Sequence, residues 1–116
     1  MKLTSLRKAL SVKHILTRYN RRYKTRFLER DLYVIYVIKN YEFPIHRLKI
    51  LTLLEKTSHS INYKQLNRCL GLLLAQNLIQ ICRKSKLKKY FITPTGIDFL
   101  YTIENWTRRF RLDKVN

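Results

Sequence analysis

The stretch Asn62-Tyr63-Lys64-Gln65-Leu66-Asn67-Arg68-Cys69-Leu70-Gly71-Leu72-Leu73-Leu74-Ala75-Gln76-Asn77-Leu78-Ile79-Gln80-Ile81-Cys82-Arg83 changes character part-way along. Its first half puts Leu66, Cys69, Leu70 and Leu73 on one stripe at helical spacing, with Tyr63, Lys64, Asn67, Arg68 and Gly71 towards the other side. Asn62, followed three residues later by Gln65, is the capping-box pattern that starts a helix. Asn77 is a natural stop, because asparagine tolerates the left-handed conformation that follows a last turn. Beyond it, Leu78-Ile79-Gln80-Ile81-Cys82-Arg83 and Lys89-Tyr90-Phe91-Ile92-Thr93 are rich in β-branched and aromatic residues and read as two strands. Lys84-Ser85-Lys86-Leu87-Lys88 is the tip that joins them, and five of the seven residues from Arg83 to Lys89 are basic.

The segments on either side complete the pattern. Downstream, Thr93-Pro94 is a compact helix start, with Thr at the cap and Pro at the first helical position. The last helix carries Ile97, Leu100, Ile103 or Trp106, and Phe110 at helical spacing, and ends in Arg108-Arg109-Phe110-Arg111, where cations suit the helix dipole. Upstream, Thr57-Ser58-His59-Ser60 is a polar turn. It follows a helix with Leu48, Leu51, Leu53 and Leu54 as its apolar face, Arg47, Lys49 and Lys56 outside, and Pro44 just inside its first turn. Leu32-Tyr33-Val34-Ile35-Tyr36-Val37-Ile38 favours a strand by propensity. The spacing of Leu32, Ile35, Tyr36 and Lys39, with Glu29 and Asp31 ahead of it, points instead to a helix, broken by residues 40–44.

The first 28 residues carry nine basic side chains and no Asp or Glu. Leu3, Leu6, Leu10, Val12, Ile15 and Leu16 recur at loosely helical spacing, with Asn20 as the stop and Arg21-Arg22-Tyr23-Lys24-Thr25-Arg26 as a basic link or a frayed helix end. The segment reads as a solvated basic arm or an amphipathic helix, and its composition also mimics an organelle transit peptide. The chain thus divides into an arm at 1–28, a domain at 29–112 and a tail at 113–116.

The order helix, helix, helix, strand, basic turn, strand, helix is that of an α+β winged helix-turn-helix. The fold is mainly α with a small β-hairpin, an extra C-terminal helix and the basic N-terminal arm. A chain of 116 residues with 46% hydrophobic letters has the material for one domain and its core. Two Gly and two Pro exclude collagen-like and Gly/Pro-rich sequence. The formal charge of +18 calls for an acidic partner, nucleic acid first and an anionic membrane surface second. Cys69 and Cys82 lie in apolar runs, too far apart for a metal knuckle and too few for a disulfide framework. They suit a reducing interior. No run of about 18 apolar residues is present, and the N-terminus has no continuous apolar core of a secretory signal. The expected location is cytoplasmic and nucleoid-associated.

Ile61-Asn62-Tyr63-Lys64-Gln65-Leu66, Leu70, Leu73, Asn77-Leu78-Ile79, Tyr90, Ile92-Thr93-Pro94-Thr95-Gly96 and Phe99-Leu100 resemble the small archaeal winged-helix proteins of the 10a chromatin-protein type. The resemblance covers the chain after Glu29. It implies binding of double-stranded DNA and a homodimer joined through the last helix. Asn77 stands where the pattern has Gly, and Pro94 takes a commonly polar position.

The candidate interface follows from docking geometry: the helix starting at Tyr63 enters the major groove by its N-terminal end. Tyr63, Lys64, Asn67 and Arg68 then meet DNA, with Arg68 suited to guanine and Asn67 to adenine. Ser58, Ser60 and Asn62 are donors for phosphates, while Gln65 is taken up by capping. Arg83, Lys84, Lys86, Lys88 and Lys89 set the wing on the backbone or in the minor groove, and Arg21 and Arg22 add phosphate contacts from the arm. A solvated hairpin that guards a sheet edge with lysine is the plainer use of the wing cations. His14, His46 and His59 lie far apart with no ligand-spaced partner, so surface or cap roles are expected and no metal or other cofactor. No paired carboxylates, phosphate loop or nucleophile beside a base is present, so the expectation is a non-enzyme. Tyr33, Tyr36, Phe91, Phe99 and Trp106 are expected in the core rather than on a stacking platform. An RNA-binding or ribosome-associated winged helix is the rival reading, and a protein-interaction module with its first helix on an anionic membrane is a third.

Overall fold

The computed structural model describes residues 12–83 and 86–115, with side chains through residue 109. The elements in order are α1 (Val12–Tyr23), α2 (Glu29–Asn40), β1 (Ile45–His46), α3 (Arg47–Lys56), α4 (Tyr63–Ala75), β2 (Ile79–Cys82), β3 (Lys89–Ile92) and α5 (Pro94–Val115). This is the expected α+β winged-helix order, with one strand added. The positions Leu3, Leu6 and Leu10 lie outside the described residues, as do Lys84 and the side chain of Phe110.

The added strand is the first correction. Pro44 does not enter a helix; it precedes β1, whose Ile45 and His46 pair with Tyr90 and Lys89 of β3. The sheet is therefore three-stranded and antiparallel, in the order β1-β3-β2, instead of a bare hairpin. Two residues are too short a run for any periodicity to show. α3 starts after His46, whose Nδ1 accepts a hydrogen bond from the Lys49 N–H at 3.4 Å. Its buried residues are Ile50 and Leu54, whereas Leu48, expected on the apolar face, is 65% exposed.

α2 is the hub of the core. Val34 to Ile38 are buried without interruption, because α2 meets α1, α3, α4 and β3 on different sides. A helix covered all round reads as a continuous apolar run, which explains its strand-like composition. The Leu28 N–H donates to Asp31 Oδ2 at 2.7 Å at its start, and the Tyr36 hydroxyl donates to Glu104 Oε1 at 2.9 Å, tying α2 to α5. Burial first, then Glu104, raises the Tyr36 pKa far above the ordinary phenol value.

α1 runs through Asn20 to Tyr23 and ends at Lys24, which takes the left-handed conformation at φ 55°. Asn20 is not the stop; it organises the turn that follows. Its Nδ2 donates to the Phe27 carbonyl, and its Oδ1 accepts from the Phe27 N–H and the Thr25 hydroxyl, all within 2.9 Å. Val12, Ile15 and Leu16 are buried, and Tyr19 packs edge-on to Phe99 of α5 at 5.1 Å between ring centroids. Phe99 also meets Phe27 at 4.7 Å and faces inward with Leu100 and Ile103, while Ile97 is 37% exposed.

The joint between α4, the sheet and α5 is built as the residues suggested. Asn77 is left-handed at φ 60°. Thr93 caps α5 by accepting from the Gly96 N–H at 3.0 Å, and its hydroxyl donates to the Asn77 carbonyl at 2.7 Å. A Cβ on Gly96 would fall on the Leu78 carbonyl and 2.7 Å from Ile92 Cγ1, so only glycine lets α5 approach this closely.

Candidate nucleic-acid interface

α4 buries Leu66, Cys69, Leu70 and Leu73, the stripe the spacing predicts. Its N-terminal end is fixed by the capping box: Asn62 Oδ1 accepts from the Gln65 N–H at 2.7 Å, and Gln65 Oε1 accepts from the Asn62 N–H at 3.0 Å. Gln65 is thereby occupied. The opposite ridge is open, with Asn62, Tyr63, Lys64, Arg68 and Gly71 exposed and Asn67 half-buried. Ser60 is exposed just ahead of it, and Ser58 is exposed in a left-handed conformation at φ 63°. No acidic residue occurs between Glu55 and Asp98, so neither α4 nor the wing carries an internal counter-charge.

The wing cations stand at and beyond the strand ends. Arg83, Lys86 and Lys88 are exposed. Lys89 is half-buried at the start of β3, between Cys82 of β2 and His46 of β1. Lys84 lies outside the described residues. Phe91, expected in the core, is 37% exposed because it points away from the face that holds Tyr90. Arg21 and Arg22 occupy the last turn of α1, with the Arg22 guanidinium 5.8 Å from the Tyr23 ring. They are on the helix that packs against α5, apart from the α4 ridge in the element order.

The base of the wing and the start of α4 are joined through a residue that the sequence reading left outside the site. Arg47, next to His46 in β1, donates from Nη1 to the Tyr63 hydroxyl at 3.2 Å. Its guanidinium is 5.9 Å from the centroids of both the Tyr63 and Tyr90 rings. The Tyr63 hydrogen bond is the main reason that its pKa is raised. A position in a helix spectrum does not announce such a contact, since Arg47 and Tyr63 belong to different elements.

The histidines hold separate places. His46 caps α3, His59 stacks on Tyr33 at 3.9 Å between centroids, and His14 is exposed. Among the described residues no three His, Cys, Asp or Glu gather at metal-binding distance, and no helix is long and apolar enough to cross a membrane. Cys69 is buried, and burial, then Asp31, pushes its thiol pKa up; it is a core side chain.

Residues 30–109 match the model of a family described as a domain of unknown function, DUF4364. The chain belongs to this family. No curated protein matches this DUF4364 chain in sequence. Among solved structures, RosR of H. salinarum, grown from NaBr, is similar at 21% identity and a TM-score of 0.58, covering 77% of this chain and 89% of that chain. The likeness shows that the DUF4364 chain has a winged-helix fold, shared with an archaeal protein. Neither match names the 10a chromatin type.

Proposed function

We propose that this chain binds double-stranded DNA, as a transcription regulator or a chromatin-like architectural factor. The N-terminal end of α4 lies in the major groove, and the wing lies on the backbone or in the minor groove. The observation that carries this reading is the open ridge of α4, with Tyr63, Lys64 and Arg68 uncovered and no acid from Lys56 to Ile97. Phosphate neutralisation needs cations without internal counter-charge. Arg68 is the base reader, while the buried Oδ1 of Asn67 is closed to the two-bond adenine contact; Ser60 and Asn62 donate to phosphates, and Arg83, Lys84, Lys86, Lys88 and Lys89 neutralise the backbone. Arg21 and Arg22 add phosphate contacts outside the 29–112 unit.

A homodimer through α5 fits the same reading. Ile97 and Tyr101, one turn apart on α5, are 37% and 62% exposed, and a second copy covers them. Equilibrium sedimentation showing only monomer at micromolar concentration removes this part.

Titration of duplex DNA at several salt concentrations tests the binding itself. If about six to ten cations engage, the log–log slope falls near −5 to −9. A flat response overturns the mechanism, and tighter binding of a structured RNA competitor transfers the ridge to RNA.

A further inference from the structure

Among the described residues only two buried side-chain polar atoms have no hydrogen-bond partner, Arg47 Nε and Asn67 Oδ1. Both flank Tyr63: Arg47 bonds its hydroxyl, and Asn67 is one helical turn further along α4. Unsatisfied buried atoms are uncommon in native folds, and where local rules are broken the reason is often functional. Here both breaks fall at the start of the exposed helix, on the surface side of the core.

Arg47 has no carboxylate partner among the described residues. Its ring and hydrogen-bond contacts are two tyrosines, Tyr63 and Tyr90. Such a group is oriented but not neutralised. An arginine oriented by a hydrogen bond and two neighbouring rings keeps its planar fork ready for a planar or tetrahedral anion, which a flexible surface lysine does not. It stands at the first residue of α3, beside the paired β1 and β3 and against the first residue of α4, where the three elements converge.

We infer that Arg47, hydrogen-bonded to Tyr63 and lying beside the Tyr63 and Tyr90 rings, is a phosphodiester-binding subsite that anchors the duplex backbone beside the start of α4. The phosphate oxygens give the guanidinium donors a charged acceptor that none of the described residues gives them. The same contacts keep Tyr63 and the first turn of α4 fixed to the sheet, so the anchor also sets the depth at which α4 sits. The subsite deepens the DNA reading and rests on it.

The test uses the full chain and the variants Arg47→Gln, Arg47→Lys and Tyr63→Phe, titrated with duplexes of different sequence over a range of salt. Arg47→Gln weakens every duplex alike, by about three- to tenfold, and lowers the salt slope by about one. Arg47→Lys recovers the slope but not the affinity, because an ammonium has no planar fork. Tyr63→Phe keeps the slope and loses part of the affinity. A purely structural Arg47 lowers the melting temperature and leaves the slope of Arg47→Gln equal to that of the unaltered chain; that result overturns the subsite while DNA binding stands. If the unaltered chain binds no duplex, the DNA reading fails, and calorimetric titration with inorganic pyrophosphate decides the subsite. A binding isotherm that disappears in Arg47→Gln retains it, and equal isotherms overturn it.

Discussion

α2 and α4 are neighbours in the core and about equal in length, yet they are built to opposite ends. α2 buries seven of its twelve residues and shows solvent little beyond its two ends, whereas α4 buries four of thirteen in one stripe and leaves Tyr63, Lys64, Arg68, Gly71 and Ala75 exposed. The first is surrounded, so its composition is apolar all round and its polar atoms, Asp31 and the Tyr36 hydroxyl, are held by specific partners. The second has one supported face and one free face, and its free face carries polar and cationic side chains. A buried hub makes a chain fold; an uncovered ridge next to it is what a partner can touch.

The contrast can be broken most forcefully from the hub. Ile35→Ala, at a fully buried position of α2, should cost about 2–5 kcal/mol of stability through lost transfer energy and the cavity left behind. Urea denaturation measures it, and a loss below about 1 kcal/mol would show that α2 is not the hub. On the ridge the expectation is inverted. Arg68→Ala should leave stability within about 0.5 kcal/mol but remove about 1–3 kcal/mol of discrimination between duplexes. Competition between a selected site and random DNA reads this, and equal loss on both argues for an architectural protein without base readout.

Two smaller effects sharpen the comparison. Asn62→Ala breaks the capping box at the end of α4 that faces outward, and should lower stability by about 1 kcal/mol. A matching change at Ser60, which makes no cap bond, should leave the melting curve in place. Lys86→Ala should weaken all duplexes alike and reduce the salt slope by about one, without a thermal shift. A sequence-dependent loss at Lys86 would move base reading from α4 to the wing.

What was legible from the residues was whatever is decided within one or two turns of chain. The capping box at Asn62 and Gln65, the stripe Leu66-Cys69-Leu70-Leu73, the left-handed Asn77 and the Thr93-Pro94 start all stand as read. Each depends on hydrogen bonds or sterics between near neighbours. The misreadings share the opposite cause. β1 exists only because β3 lies alongside it, so the residues after Pro44 read locally as a helix start. Leu48, Phe91 and Ile97 are apolar at periodic positions, yet they face away from the core and stay exposed. Asn20 turned from a stop into the organiser of a loop because Phe27, seven residues on, came back to meet it.

By itself the order of residues determined that a capped, one-sided helix runs into a basic hairpin and then into a second capped helix, since propensity, capping and charge act locally. Only the tertiary structure decided that α2 is enclosed, that a third strand joins the hairpin, and that Arg47 stands between Tyr63 and Tyr90. Those are contacts between residues distant in the chain, and their energy exists only when the separate elements have been brought together.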